Sequence, residues 1–121
     1  MSVTFVLTLA IQPGADDQEV RETAQRMAAS TERKDGARFY LAFEREPGLL
    51  EYIETFTDSD AAEAHLHNQD ESLLAHWFSL VSLAAVHVVG PVSDSLRKSL
   101  EAFPAKVPPT FSPAMCTFGP R

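Results

Sequence analysis

Residues 3–11 alternate: Val3, Phe5, Leu7, Leu9 and Ile11 are interleaved with Thr4, Val6, Thr8 and Ala10. A period of two puts the first set on one face of a strand, and Gln12-Pro13-Gly14 closes the run as a turn. The alternation returns at Phe39, Leu41 and Phe43 against Arg38, Tyr40, Ala42 and Glu44, and again over Leu49 to Thr57. Pro47-Gly48 between those two runs fits the centre of a tight turn, which predicts a hairpin. Before the hairpin, Asp16 or Asp17 caps a helix carrying Val20, Ala24, Met27 and Ala28 at helical spacing. After it, Asp58 and Asp60 open a second helix through Leu66. The polar run Asn68 to Ser72 breaks or bends this helix, Asp70 or Ser72 recaps a piece over Leu73 to Leu83, and a last strand runs from Ala84 to Val89. The order is β-α-β-β-α-β, an α+β, ferredoxin-like arrangement with an antiparallel sheet.

In that topology both helices cover one face of the sheet. The other face is expected to carry Val6, Ala10, Tyr40, Ala42 and Ile53, too apolar for water and too small for a second core. A homodimer, two sheets packed face to face as a dimeric α/β barrel, is the simple remedy. Residues 1–90 form the domain on this reading. Residues 91–121 are different in character, holding six of the eight prolines. Ser93 or Asp94 caps a short helix with Leu96, Leu100 and Phe103 in a stripe, and Pro104 ends it. The remainder carries Val107, Phe111, Met115 and Phe118, which marks an arm that docks on the domain or on the partner subunit.

Composition excludes several functions. The net charge of −7, with no dense Lys/Arg cluster, argues against nucleic acid as a partner. A single cysteine, Cys116, leaves no intrachain disulfide framework or Cys-rich zinc site and makes a reducing, cytoplasmic setting the default. The first apolar run is short and lacks a preceding basic residue, so neither a signal peptide nor a membrane span is expected. None of the five glycines builds a G-x-G-x-x-G loop, a phosphate loop or a G-x-S-x-G elbow.

Candidate chemistry concentrates on strand three and the helices after it. If Pro47-Gly48 is a two-residue loop, Glu46 opposes Leu49, Phe43 opposes Tyr52, Leu41 opposes Glu54 and Phe39 opposes Phe56. Glu54 then lies inward among aromatics. There it is either an acid or base of raised pKa or the partner of a helix arginine, and an odd loop count would flip the register. His65 and His67 face opposite sides of their helix and cannot chelate one ion, so no metal site is expected. His76 edges the same region, His87 sits in the last strand facing a dimer interface, and Cys116 lacks the basic neighbours of a nucleophile. Trp77 and Phe78 belong to a largely apolar segment that packs as core. A flat pocket between it and the sheet would suit a planar aromatic ligand.

The segment Tyr52-Ile53-Glu54-Thr55-Phe56-Thr57-Asp58-Ser59-Asp60-Ala61-Ala62-Glu63-Ala64-His65 resembles a pattern of the antibiotic-biosynthesis-monooxygenase (ABM) superfamily, in which Glu54, Phe56 and His65 match at the family's spacing. The likeness covers about residues 3–90. Gly90-Pro91 with its helix and the closing Thr117-Phe118-Gly119-Pro120-Arg121 resemble, less specifically, an extension seen in some members. The resemblance implies a cofactor-independent monooxygenase acting on a small aromatic substrate, a phenol, quinol or anthrone. A base removes a proton and the substrate anion reduces oxygen. His65 would be the first candidate for proton transfer, Glu54 would orient it, and His76 would be the second choice. Tyr52, Phe56 and Trp77 would wall the pocket. The family's heme-degrading branch is disfavoured, since Leu7 and Phe56 stand near where it needs asparagine and tryptophan, although His76 falls near its histidine. The same scaffold would also serve a non-catalytic small-molecule-binding or regulatory dimer, or an isomerase or decarboxylase.

Overall fold

In a computed structural model the chain is described over residues 1–103 and 108–116. Pro104, Val107, Phe118 and residues 117–121, to which the sequence assigns roles, lie outside that range. The elements are β1 (Val3–Ile11), α1 (Asp17–Glu32), β2 (Ala37–Glu46), β3 (Leu49–Phe56), α2 (Ser59–His67), α3 (Glu71–Leu80), β4 (Val81–Val89), α4 (Asp94–Glu101) and β5 (Thr110–Ser112). The sheet order is β2-β3-β1-β4-β5. β1 pairs antiparallel with both β3 and β4, and β2 with β3, so β3 lies between the parallel pair β1 and β2, which is the split βαβ of a ferredoxin-like fold. The expectation of a purely antiparallel sheet needs correction. β5 adds to the edge of β4 in parallel, which makes the sheet mixed.

Each helix begins on a side chain that accepts a backbone N–H: Asp16 from Glu19, Asp58 from Ala61, Asp70 from Leu73 and Ser93 from Leu96. α3 ends sooner than expected, at Leu80, and β4 starts at once with Val81 rather than at Ala84. Periodicity cannot divide a continuous apolar run. The division comes from β1, where the Gln12 side chain donates to the carbonyls of Phe78 and Val81 and the Gln12 N–H donates to that of Leu80. These bonds satisfy carbonyls that the last helical turn leaves free. A bulge at Ala84 then lets both Leu83 and Val86 point into the core, opposite Leu9 and Leu7.

The hairpin register also differs from the expected one. Glu46 opposes Leu49, but Glu44 opposes Leu50, which leaves Arg45 as an extra residue. That extra residue sends the side chains from Phe39 to Glu44 to the opposite face, until a second irregularity at Arg38 returns Ala37 to the side of Phe56. Tyr40 therefore opposes Glu54 and Ala42 opposes Tyr52 on the helix-covered side, while Phe39, Leu41 and Phe43 oppose Thr55, Ile53 and Glu51 on the open side. These three are 53%, 44% and 40% exposed. Val6, Ala10 and Ile53 lie on the open face as the alternation implies. Tyr40 and Ala42 do not.

The core lies between the covered face and the helices. Val3, Phe5, Leu9, Tyr52, Phe56 and Val88 from the sheet meet Val20, Ala62, Trp77, Leu96 and Leu100 from the helices. α2 packs on β3 and α4, and α3 packs on β4 and α1.

Candidate active site

Alternation along β3 sends Tyr52, Glu54 and Phe56 toward the helices, and all three are buried. Glu54 is flanked across the sheet by Phe5 on β1 and Tyr40 on β2, so its surroundings are aromatic, though with partners other than Leu41. On α2, Ala62 and His65 stand three residues apart and form the buried stripe. The His65 ring rests on Phe56 with centroids 4.8 Å apart. Its Nε2 lies 3.9 Å from Glu54 Oε1, and its Nδ1 lies 3.2 Å from Nζ of Lys34, in the turn between α1 and β2.

Gly36 makes that last contact possible. It has φ +84°, and a Cβ there would collide with Cβ of Ala61 in the first turn of α2. Its carbonyl accepts the N–H of Thr57. The turn is thereby held close to α2, within reach of His65.

Burial separates the two titrating groups. Loss of hydration pushes the Glu54 carboxyl up to about 7, with the Lys34 charge opposing the shift. The same loss, aided by Lys34, pushes His65 down to about 4. At neutral pH His65 is therefore an uncharged imidazole, and Glu54 titrates close to neutrality. Lys34 itself is pushed down by burial and held up by the Glu54 charge.

Glu54 and His65 face an apolar cavity of about 60 Å³ bounded by Leu7, Tyr40, Tyr52, Leu74, Trp77 and Phe78. A groove of about 390 Å³ between α1 and β2 shares Tyr40 and Tyr52 with this cavity, so the two tyrosines are the partition between them. Their rings meet edge to face at 5.5 Å, and Tyr52 also contacts Trp77 at 5.6 Å. The two hydroxyls face each other, and among the described residues neither is bonded to any other group although both oxygens are buried. Burial raises the pKa of both phenols, which keeps them protonated and able to donate.

The structure thus brings together Glu54, His65, Tyr52 and Trp77, with Phe56 behind the His65 ring rather than on the cavity wall. It does not bring in His76. One residue before the inward Trp77, His76 points away and meets Glu19 of α1 at 3.0 Å on the surface. His67 turns outward to Glu63 and Ser99. His87, opposite Val6 on the open face, is bonded through both ring nitrogens to the hydroxyls of Thr110 and Ser112 on β5. Cys116 is exposed. No cluster of three or more His, Cys, Asp or Glu side chains suited to a metal occurs among the described residues. No helix among them is long and apolar enough to cross a membrane. Sequence reasoning missed Tyr40, assigned to the wrong face by the Arg45 bulge, and Lys34, which sits in an ordinary polar turn with no local signal.

No family model matches the chain, and no curated protein matches it. Solved structures do. SnoaB from Streptomyces nogalater, a cofactor-independent oxygenase of the ABM-like fold, superposes with a TM-score of 0.65 at 19% identity over 76% of this chain and 94% of its own. This chain has the ABM-like fold. MupZ from Pseudomonas fluorescens shares it with a TM-score of 0.74 at 20% identity, over 98% of this chain and 94% of MupZ. That coverage is too large to omit the region after β4. Rv0793 from Mycobacterium tuberculosis, at 0.63 and 23% identity, covers 78% of this chain and 99% of its own. In this chain the Glu54–His65 pair lies between the sheet and the helices, beside the Tyr40–Tyr52 partition.

Proposed function

We propose that the chain is a cofactor-independent monooxygenase of small aromatic substrates, with Glu54 as the base. The observation that carries this reading is a carboxyl with a pKa of about 7 beside an uncharged imidazole, in an apolar cavity. A base is most effective when its pKa lies near the working pH, and the ABM-like fold of SnoaB supports oxygenation as the chemistry. His65 and Glu54 exchange the roles the family resemblance implies: Glu54 accepts the proton, and neutral His65 supports the resulting charge. A substrate such as an anthrone loses a proton to Glu54, and its anion is oxidised by dioxygen. The methylene becomes a carbonyl, one oxygen atom is retained there and the other leaves as water. The buried Tyr40 and Tyr52 hydroxyls, bonded to no other group among the described residues, suit the oxyanion that forms on deprotonation.

The inner cavity is far below the size of an ordinary ligand site, whereas the α1–β2 groove falls within that range. The aromatic body therefore occupies the groove, with its oxygen-bearing edge displacing the tyrosine partition toward Glu54. The apolar open face supports pairing with a second copy of the chain.

Oxygen uptake with hydroquinones and anthrones, measured without flavin or metal, tests the reading. Uptake should rise with pH through a midpoint near 7 as Glu54 ionises, and Glu54→Gln should lower it about 10²- to 10⁴-fold. No turnover across a broad panel would sink it. Saturable thermal stabilisation by an aromatic ligand without oxygen consumption would instead mark a binding protein.

A further inference from the structure

We propose that Lys34 is a positioning residue: its ammonium donates to Nδ1 of His65, fixes the ring as the neutral Nε2–H tautomer, and leaves Glu54 as the proton acceptor of the cavity. The inference deepens the reading of Glu54 and His65 above and rests on the same site.

An ammonium carries three donors and no acceptor, so at 3.2 Å the Nδ1 lone pair must point at Lys34. The single proton of the uncharged ring is then on Nε2, the nitrogen facing Glu54 at 3.9 Å. That separation is beyond a hydrogen bond in the ligand-free protein, but Nε2 can only donate across it. In the usual carboxylate–histidine–substrate order, the carboxylate holds one nitrogen and the other is left basic toward the substrate. Here the second nitrogen is occupied by a cation. His65 therefore has no free lone pair, and Glu54 has no hydrogen-bond partner among the described residues that would hold its proton-accepting oxygens back.

The surroundings support the same division. Glu54 is faced by Lys34 from the α1–β2 turn, His65 from α2, Tyr40 from β2 and Tyr52 on its own strand. α3 and α4 contribute only uncharged residues to the cavity, among them Leu74, Trp77, Phe78 and Leu100. Among the described residues Lys34 is thus the cation of the site. Its charge stabilises ionised Glu54 and opposes protonation of His65, so one side chain favours both states that the reaction needs.

Nitrogen-15 NMR of the full chain, with labelled histidine, tests this without any substrate. The wild type should show His65 as the Nε2–H tautomer, titrating near pH 4. Lys34→Met should raise the His65 midpoint and the Glu54 midpoint together, whereas Lys34→Arg, another obligate donor, should keep both near their wild-type values. An Nδ1–H tautomer in the wild type would overturn the proposal. So would midpoints unmoved in Lys34→Met, or an Arg variant that behaves like Met while thermal melting shows it folded. The tautomer is read independently of turnover, so a protein inactive toward every quinol but showing this pattern would refute the oxygenase reading and leave the role of Lys34 standing.

Discussion

Both faces of the sheet carry aromatic and aliphatic side chains, yet the two faces differ in what covers them. The covered face buries Phe5, Tyr52, Phe56 and Trp77 around one polar pair, Glu54 and His65, and so creates a low-dielectric site where both groups are far from their ordinary pKa values. The open face leaves Phe39, Leu41 and Phe43 in water beside Val6, Ile53 and the Thr4–Thr55 hydroxyl contact, with no buried charge. Hydrophobicity alone does not distinguish the sealed face from the open one. What distinguishes them is whether helices seal the face and whether an ionisable group is sealed in with it.

The largest expected difference is in packing. Trp77→Ala should lower the unfolding free energy by about 3–5 kcal/mol in urea titrations, since it empties a site only 2% exposed. Leu41→Ala, by contrast, should stay within about 0.5 kcal/mol for the isolated chain. Equal losses would mean that the open face is covered within the monomer and would break the comparison.

Next is the response to pH. The raised Glu54 pKa contributes stability that is present below its ordinary 4.5 and is lost as pH rises through about 7. The depressed His65 pKa contributes stability that is present above its ordinary 6.5 and is lost as pH falls through about 4. Each swing is about 3 kcal/mol and the two have opposite signs, so the wild type should be nearly level between pH 4.5 and 6.5. Glu54→Gln should expose the His65 limb, with stability rising with pH. His65→Gln should expose the Glu54 limb, with stability falling. Flat profiles in both variants would show that the pair is hydrated.

The smallest effect on the fold should come from the open face itself. Leu41→Ser with Phe43→Ser is expected to leave the far-UV spectrum and the melting of dilute chain almost unchanged while shifting sedimentation from dimer to monomer. A monomeric wild type would remove the pairing proposal and leave the site intact.

Much of this was legible in one dimension. The alternation in β1 and β3, the Asp and Ser caps and the Pro-Gly hairpin are local signals, and each formed where the sequence placed it, within a residue or two. The inward Glu54 and the buried, outward contrast of His65 and His67 follow from strand and helix periods alone. His76 was less legible, because its rotation depends on Trp77, its inward neighbour, and on where α1 places Glu19.

What the chain by itself determined, then, is the β-α-β-β-α-β order and which side of β3 carries the carboxyl, since both depend on periods of a few residues. Tertiary structure decided the rest. Arg45 bulges out of a ladder whose register is set by pairing, and that one residue moves Tyr40 into the site and Phe39, Leu41 and Phe43 out of it. Lys34 reaches His65 across 31 positions only because Gly36 lets the turn close against α2. β5 finds the edge of β4 through hydroxyl contacts to His87 and an Arg97 guanidinium lying over Phe111 at 3.8 Å. Such contacts join residues distant in sequence, so no local pattern records them, and in this protein they bring Lys34, Glu54, His65 and Tyr40 to one site.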